Sequence, residues 1–168
     1  MIIYGLHDYL TNPASVDTRL FSPAQTGLGL TIKHRDDARR ELQSRIGRDV
    51  YFGRNPEGVK PAYMLLDVIN TSSQPTTAGV TDTANSIVQI DCYTSGHHAP
   101  QRNQVLSFLV RMACDGFYGK KWGDYFVTES TLQNISSEQL EPIGGQGKWS
   151  FVTSLDFSVY YQAASPVF

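Results

Sequence analysis

The stretch SIVQIDCYTSGHHAPQRNQVLSFLVRMACDGF, residues 86–117, holds both periodicities of the fold in one piece. In its first part Val88, Ile90 and Cys92 alternate with Gln89, Asp91 and Tyr93. That is the two-residue period of a strand with one face in a core. The period then changes. Val105, Phe108, Leu109 and Met112 recur at i, i+3, i+4 and i+7, the stripe of an amphipathic helix. Pro100 suits the helix's first turn, where it removes no hydrogen bond, and Gly116 marks its end. Between the two parts lies TSGHH. Asp91, Cys92, His97 and His98 are all metal-ligand types, but strand geometry sends Asp91 and Cys92 to opposite faces. The adjacent histidines are expected to diverge, and no C-x₂-C or H-x₃-H spacing is present. The stretch predicts strand, turn and helix, with the histidines at a polar rim and no metal site.

Working outward, KPAYMLLDVI (60–69) alternates in the same way. Ala62, Met64, Leu66 and Val68 face one side; Tyr63, Leu65, Asp67 and Ile69 face the other. The polar run NTSSQPTTAGVTDTAN (70–85) reads as a mobile projecting loop rather than a tight hairpin. RDDARRELQSRIG (35–47) predicts a helix. Asp36 and Asp37 suit its first turn and Gly47 its C′ position. Its apolar stripe is thin: Ala38, Leu42 and Ile46. DVYFG (49–53) predicts a short strand, GKKWGD (119–124) a turn, and YFVTESTLQNISSEQLEPI (125–143) a strand with an irregular section. In WSFVTSLDFSVYY (149–161), Trp149, Phe151, Thr153, Leu155, Phe157, Val159 and Tyr161 share one face. Residues 1–34 are rich in turn formers (TNPAS, FSPAQ, TGLG) and predict an extended N-terminal arm. The expected class is α+β: a mixed or mainly antiparallel sheet of about four strands, two helices packed on it, a long β-hairpin and the arm. The expected organisation is an arm over 1–34 and a single domain over 35–168.

Composition narrows the function classes. A chain of 168 residues can bury a real core. A net charge of −2 argues against a dedicated nucleic-acid binder. Two cysteines make no disulfide framework and read as buried free thiols. No apolar run is long enough for a membrane-spanning helix, and MIIYGLHDYL lacks the basic start of a signal peptide. No G-x-S-x-G is present. GLGL (27–30) and GGQG (144–147) lack the Lys and Ser/Thr of a phosphate loop and read as turns. No catalytic residue and no cofactor is expected. Charge is uneven, however. Lys33, Arg35, Arg39, Arg40, Arg45, Arg48, Arg54 and Lys60 are eight of the fourteen basic residues. Asp36, Asp37, Glu41, Asp49 and Glu57 offset five of them. Such a cluster is either a solvated helix face or a contact for an acidic partner or passing DNA.

The order of these elements resembles the tail terminator (tail completion) proteins of long-tailed bacteriophages. The VQIDCYTS strand followed at once by an amphipathic helix, and the closing DFSVYY strand, carry the resemblance over roughly residues 35–162. It implies a virion protein of the neck or tail, assembled in the host cytoplasm, with no membrane contact and no catalysis. It further implies a hexameric ring of self-contacts that caps the tail tube protein and meets the head–tail connector or adaptor. DNA would pass through the lumen without specific binding. Partner contacts are then expected at Arg35, Arg39, Arg40, Arg45 and Arg48, and at Gln74, Pro75, Thr76 and Thr77 of the polar run. Two other readings are a different neck component and a small α/β enzyme.

Overall fold

The computed structural model describes residues 1–12, 20–25, 30–53, 61–76, 79–140 and 149–163, with the backbone alone at 20–25, 31, 73–76, 79–82 and 163. The elements run α1 (Ile2–Thr11), β1 (Leu20–Gln25), β2 (Thr31–His34), α2 (Arg35–Ile46), β3 (Val50–Phe52), β4 (Ala62–Thr76), β5 (Gly79–Ser95), α3 (Ala99–Cys114), β6 (Phe117–Trp122), β7 (Tyr125–Leu140) and β8 (Ser150–Ala163). Six strands form one sheet in the order β3-β4-β5-β8-β7-β6, and β1 and β2 form a separate antiparallel ribbon. Only the β3–β4 pair of the six-stranded sheet is parallel. The class is therefore α+β with a mixed sheet; among the described residues that sheet has six strands and is joined by three helices, rather than about four and two.

The alternating stretches meet face to face. Met64, Cys92 and Thr153 stand in one row across β4, β5 and β8; Leu66, Ile90 and Leu155 make the next; Val68, Val88 and Phe157 the third. Most of these side chains are fully buried under the helices. Along the final strand Thr153, Leu155, Phe157, Val159 and Tyr161 are buried, whereas Trp149 at its start is exposed. The α3 stripe is centred one position from the expected one. Leu106, Leu109, Val110, Ala113 and Cys114 are buried, while Val105, Phe108 and Met112 pack as half-buried flanks. The helix lies on β5 and β8 and also packs against α2, so its covered arc is wider than one stripe.

Three expectations fail. The polar run is not a loop: β4 continues to Thr76 and β5 begins at Gly79. Strand pairing satisfies the backbone there whatever the side chains, and Thr71 and Ser86 join hydroxyls across it at 2.9 Å. The register shifts at Val68/Asn70 and again at Ser73/Pro75, and the second of these accommodates the proline, which has no N–H to give. GKKW is strand, and only Gly123 and Asp124 turn, because Phe117 and Trp122 anchor β6 in the core at both ends.

The third failure is the arm. Residues 2–11 form α1, with Ile2, Ile3, Leu6, Tyr9 and Leu10 buried in the same cluster as the sheet. Tyr9 stacks on Trp122, meets Phe117 edge-on, and donates to the Ala113 carbonyl at 2.9 Å. Gly5 permits this approach: a Cβ there would lie 2.2 Å from the Trp122 carbonyl oxygen. FSPAQ belongs to β1. TNPAS beyond Asn12, and TGLG, lie outside the described residues, as do GLGL except Leu30, GGQG, Arg54, Glu57 and Lys60.

Candidate interaction surfaces

The five arginines expected at a partner surface divide into two groups. Arg35 and Arg39 are buried. Arg35 donates to the carbonyls of Met112 and Asp115 and, at 2.7 Å, to that of Gly116, so it caps the end of α3. Arg39 donates to the carbonyls of Tyr9 and Asn12 at the end of α1, and to Asp36 at 2.9 Å. Its guanidinium also lies 4.2 Å from the Tyr9 ring centroid. Two arginines one turn apart on α2 thus tie down the C-terminal ends of the other two helices. They hold the fold and present nothing outward. The clue lay in spacing: Arg35 and Arg39 fall on the same helical stripe as Leu42 and Ile46. Arg40, Arg45 and Arg48 are exposed. Arg45 pairs with Glu41 at 2.7 Å, and Arg40 stands 3.9 Å from Asp37.

The expected contact residues Gln74, Pro75 and Thr76 close the outgoing arm of the β4–β5 hairpin. Thr77 lies outside the described residues. His97 and His98 are exposed at the entrance to α3, and their rings meet edge to face rather than diverging, 4.4 Å between centroids. Cys92 and Cys114 are free and fully buried. Burial pushes the Cys114 thiol up to about 12 against the pull of Arg35 and Arg39, and burial with the Asp91 charge pushes Cys92 up as well. Neither is a nucleophile in waiting. Among the described residues no group of three His, Cys, Asp or Glu side chains is arranged to hold a metal, and no helix is long and apolar enough to cross a membrane.

No described helix covers the second face of the sheet. On it Tyr63, Leu65 and Asp67 of β4 neighbour Tyr93, Asp91 and Gln89 of β5, and these neighbour Val152, Ser154 and Asp156 of β8. Asn134, Ser136 and Glu138 of β7 complete the rows. Tyr63 and Tyr93 stack in parallel at 4.8 Å. Burial, and then the Tyr93 hydroxyl, push Tyr63 up to about 12. Asp156 accepts from Gln89 at 3.0 Å and from Asn134 at 3.2 Å. Partial burial raises Asp91 above the ordinary carboxylate range; Ser154 opposes this by hydrogen bonding, and Asp156 and Asp67 add to it by repulsion. These rows hold four carboxylates and no lysine or arginine. A cavity of about 320 Å³ opens beside this region, lined by Pro100, Asn103, Gln104, Glu138, Phe151 and Thr153. Asn103 is already engaged by the Cys92 and Phe151 carbonyls and by the Thr153 hydroxyl.

This arrangement of sheet and helices recurs in a virion. The chain matches one in the structure described as "Virion of native gene transfer agent (GTA) particle", with a TM-score of 0.55 and 15% identity over 73% of this chain and 84% of that one. At that identity the likeness establishes a shared fold. No family model matches the chain, and no curated protein does.

Two surface features escaped sequence reading. One is the second sheet face, because alternation fixes the two faces of each strand but not the pairing that joins β4, β5 and β8 into one surface. The other is the outer part of β7, residues 133–139, which is exposed on both faces. Its polar, Ser-rich composition was the available signal.

Proposed function

We propose that the chain is a structural protein of a phage-like virion and, within it, a tail terminator: a ring that caps the tail tube and meets the head connector or adaptor. The observation that carries this reading is the fold shared with a chain of the gene transfer agent virion across most of both chains. The surfaces suit the role. The hairpin arm ending in Gln74, Pro75 and Thr76 offers a docking element for the tail tube. Arg40, Arg45 and Arg48 offer cations to an acidic neighbour, a role Arg35 and Arg39 do not share. The uncovered sheet face, with Asp67, Asp91, Asp156 and Glu138, suits a wall past which DNA slides without being held, since it offers no cations to replace phosphate counterions.

The test is depletion of the protein from the phage that encodes it. Tails of uncontrolled length are the expected result. Tails of normal length that fail to join heads would move the assignment to another neck component. Normal-length, head-attached tails would overturn both. Charge reversal of Arg40 and Arg45 to Glu is expected to leave the circular dichroism spectrum unchanged and to weaken attachment of purified protein to tail tubes.

A further inference from the structure

We propose that the β1–β2 ribbon of one copy adds to the free edge of β7, residues 134–140, in a second copy. The inference rests on the reading of this chain as a self-assembling subunit, and it names the contact. β6 covers β7 only from Tyr125 to Ser130. Beyond that, β7 pairs on one side with β8 as far as Leu140↔Ser150. On its other side no described strand is paired. The Leu132 N–H is taken by Asp115 at 3.0 Å, so the unpaired row begins after it. From Asn134↔Asp156 onward the register runs without a shift. Ile135 is 46% exposed although it stands opposite the fully buried Leu155.

Sheet edges left open to solvent are commonly blunted by lysine, proline, a bulge or a covering loop. The sequence NISSEQL at 134–140 has no lysine and no proline, and the strand has no further bulge there. A regular row of unpaired N–H and C=O groups is a template for an added strand.

The same chain holds a strand pair without a sheet. β1 pairs with β2 and packs extensively on no other described element. β2 is anchored through the buried Ile32 and its contacts with α2, whereas β1 is held mainly by its pairing with β2, and a strand with one partner gains little against the backbone entropy of ordering it. β1 has six residues against the seven of the free β7 edge, and its register with β2 shifts between Leu20 and Ala24, so Ala24 and Gln25 are its regularly paired end. Pro23 lacks an N–H and removes at most one bond from the new pairing. Charge agrees: the ribbon carries exposed Lys33, and the edge carries exposed Glu138. The two surfaces differ, so the contact is head-to-tail and propagates into a ring or a filament.

The test uses the full chain in two variants, Ala24→Cys and Ser136→Cys, mixed in equal amounts and treated with a short bis-maleimide. The native thiols are buried and do not compete. The expected product is a cross-linked pair containing one chain of each variant, with neither variant cross-linking to itself. Adding Ile135→Lys to the Ser136→Cys chain is expected to lower that product about tenfold or more, with the circular dichroism spectrum unchanged. Self-linked Ser136→Cys would show β7 pairing with β7 and overturn the proposal. Absence of any mixed product would also overturn it. If the particle mass still shows a ring in that case, the terminator reading stands and only this contact falls.

Discussion

The two halves of β7 make an instructive pair. From Tyr125 to Ser130 the strand has β8 on one side and β6 on the other, and α1 lies close to β6. Val127 and Ser130 are fully buried there, and Trp122 and Phe117 lie beside them. Residues 134–140 have the same partner in β8 and nothing described opposite. Both halves are equally strand-like in backbone. The difference is what stands beside them, so the first half belongs to the core and the second to a surface that a neighbour can use.

The largest test of that contrast is a pair of truncations. Trp122→Ala should destabilise by about 3–5 kcal/mol, the usual range for removing a buried Trp. Ile135→Ala should stay within roughly 0.5 kcal/mol, as for an ordinary surface change. Denaturant midpoints of the monomeric chain would read both. Equal losses would mean that the outer part of β7 is packed after all.

The arginines of α2 sharpen the same contrast between covered and open. Arg39→Met strands Asp36 and the Tyr9 and Asn12 carbonyls, and should cost on the order of 3 kcal/mol, the low end for breaking a buried ion pair. Arg40→Ala removes an exposed, loosely paired cation and should shift stability by less than about 0.5 kcal/mol. A thermal melt in which Arg40→Ala was the more damaging would reverse the assignment of the helix face.

The smallest effect concerns the open face. Burial holds Asp91 above its unfolded value, so the native state keeps its proton to higher pH than the unfolded chain does. Its contribution to stability is therefore present at low pH and declines as pH rises through the raised value. Asp91→Asn should raise the melting temperature at neutral pH. The gain should vanish below the ordinary carboxylate range, about pH 4. A gain independent of pH would assign the effect to packing rather than charge.

Particular residues show how far sequence reading reaches. Val88, Ile90 and Cys92, and Leu155, Phe157 and Val159, were legible as core because a strand's period is local and strict. The same local rule placed Asp91 and Cys92 on opposite faces. It misread residues 70–85, where hydroxyl and amide side chains suggest a loop but the partner strand supplies what the backbone needs. It also misread α1. Ile2, Ile3, Leu6, Tyr9 and Leu10 carry a helical spacing, but turn-forming residues downstream outweighed it.

The alternating strands, the amphipathic α3, the end of α2 at Gly47, where φ is +59°, and the α+β class can be read from the order of residues alone. All of these follow from neighbours a few positions apart along the chain. The inward turn of Arg35 and Arg39, the need for a small residue at Gly5, and the lack of a second described neighbour for one half of β7 come from the folded arrangement. Each depends on groups distant in sequence: the carbonyls that end α1 and α3, the Trp122 oxygen, and the point where β6 stops. A charge is buried only when remote partners converge on it, and an edge is open only when no remote strand reaches it.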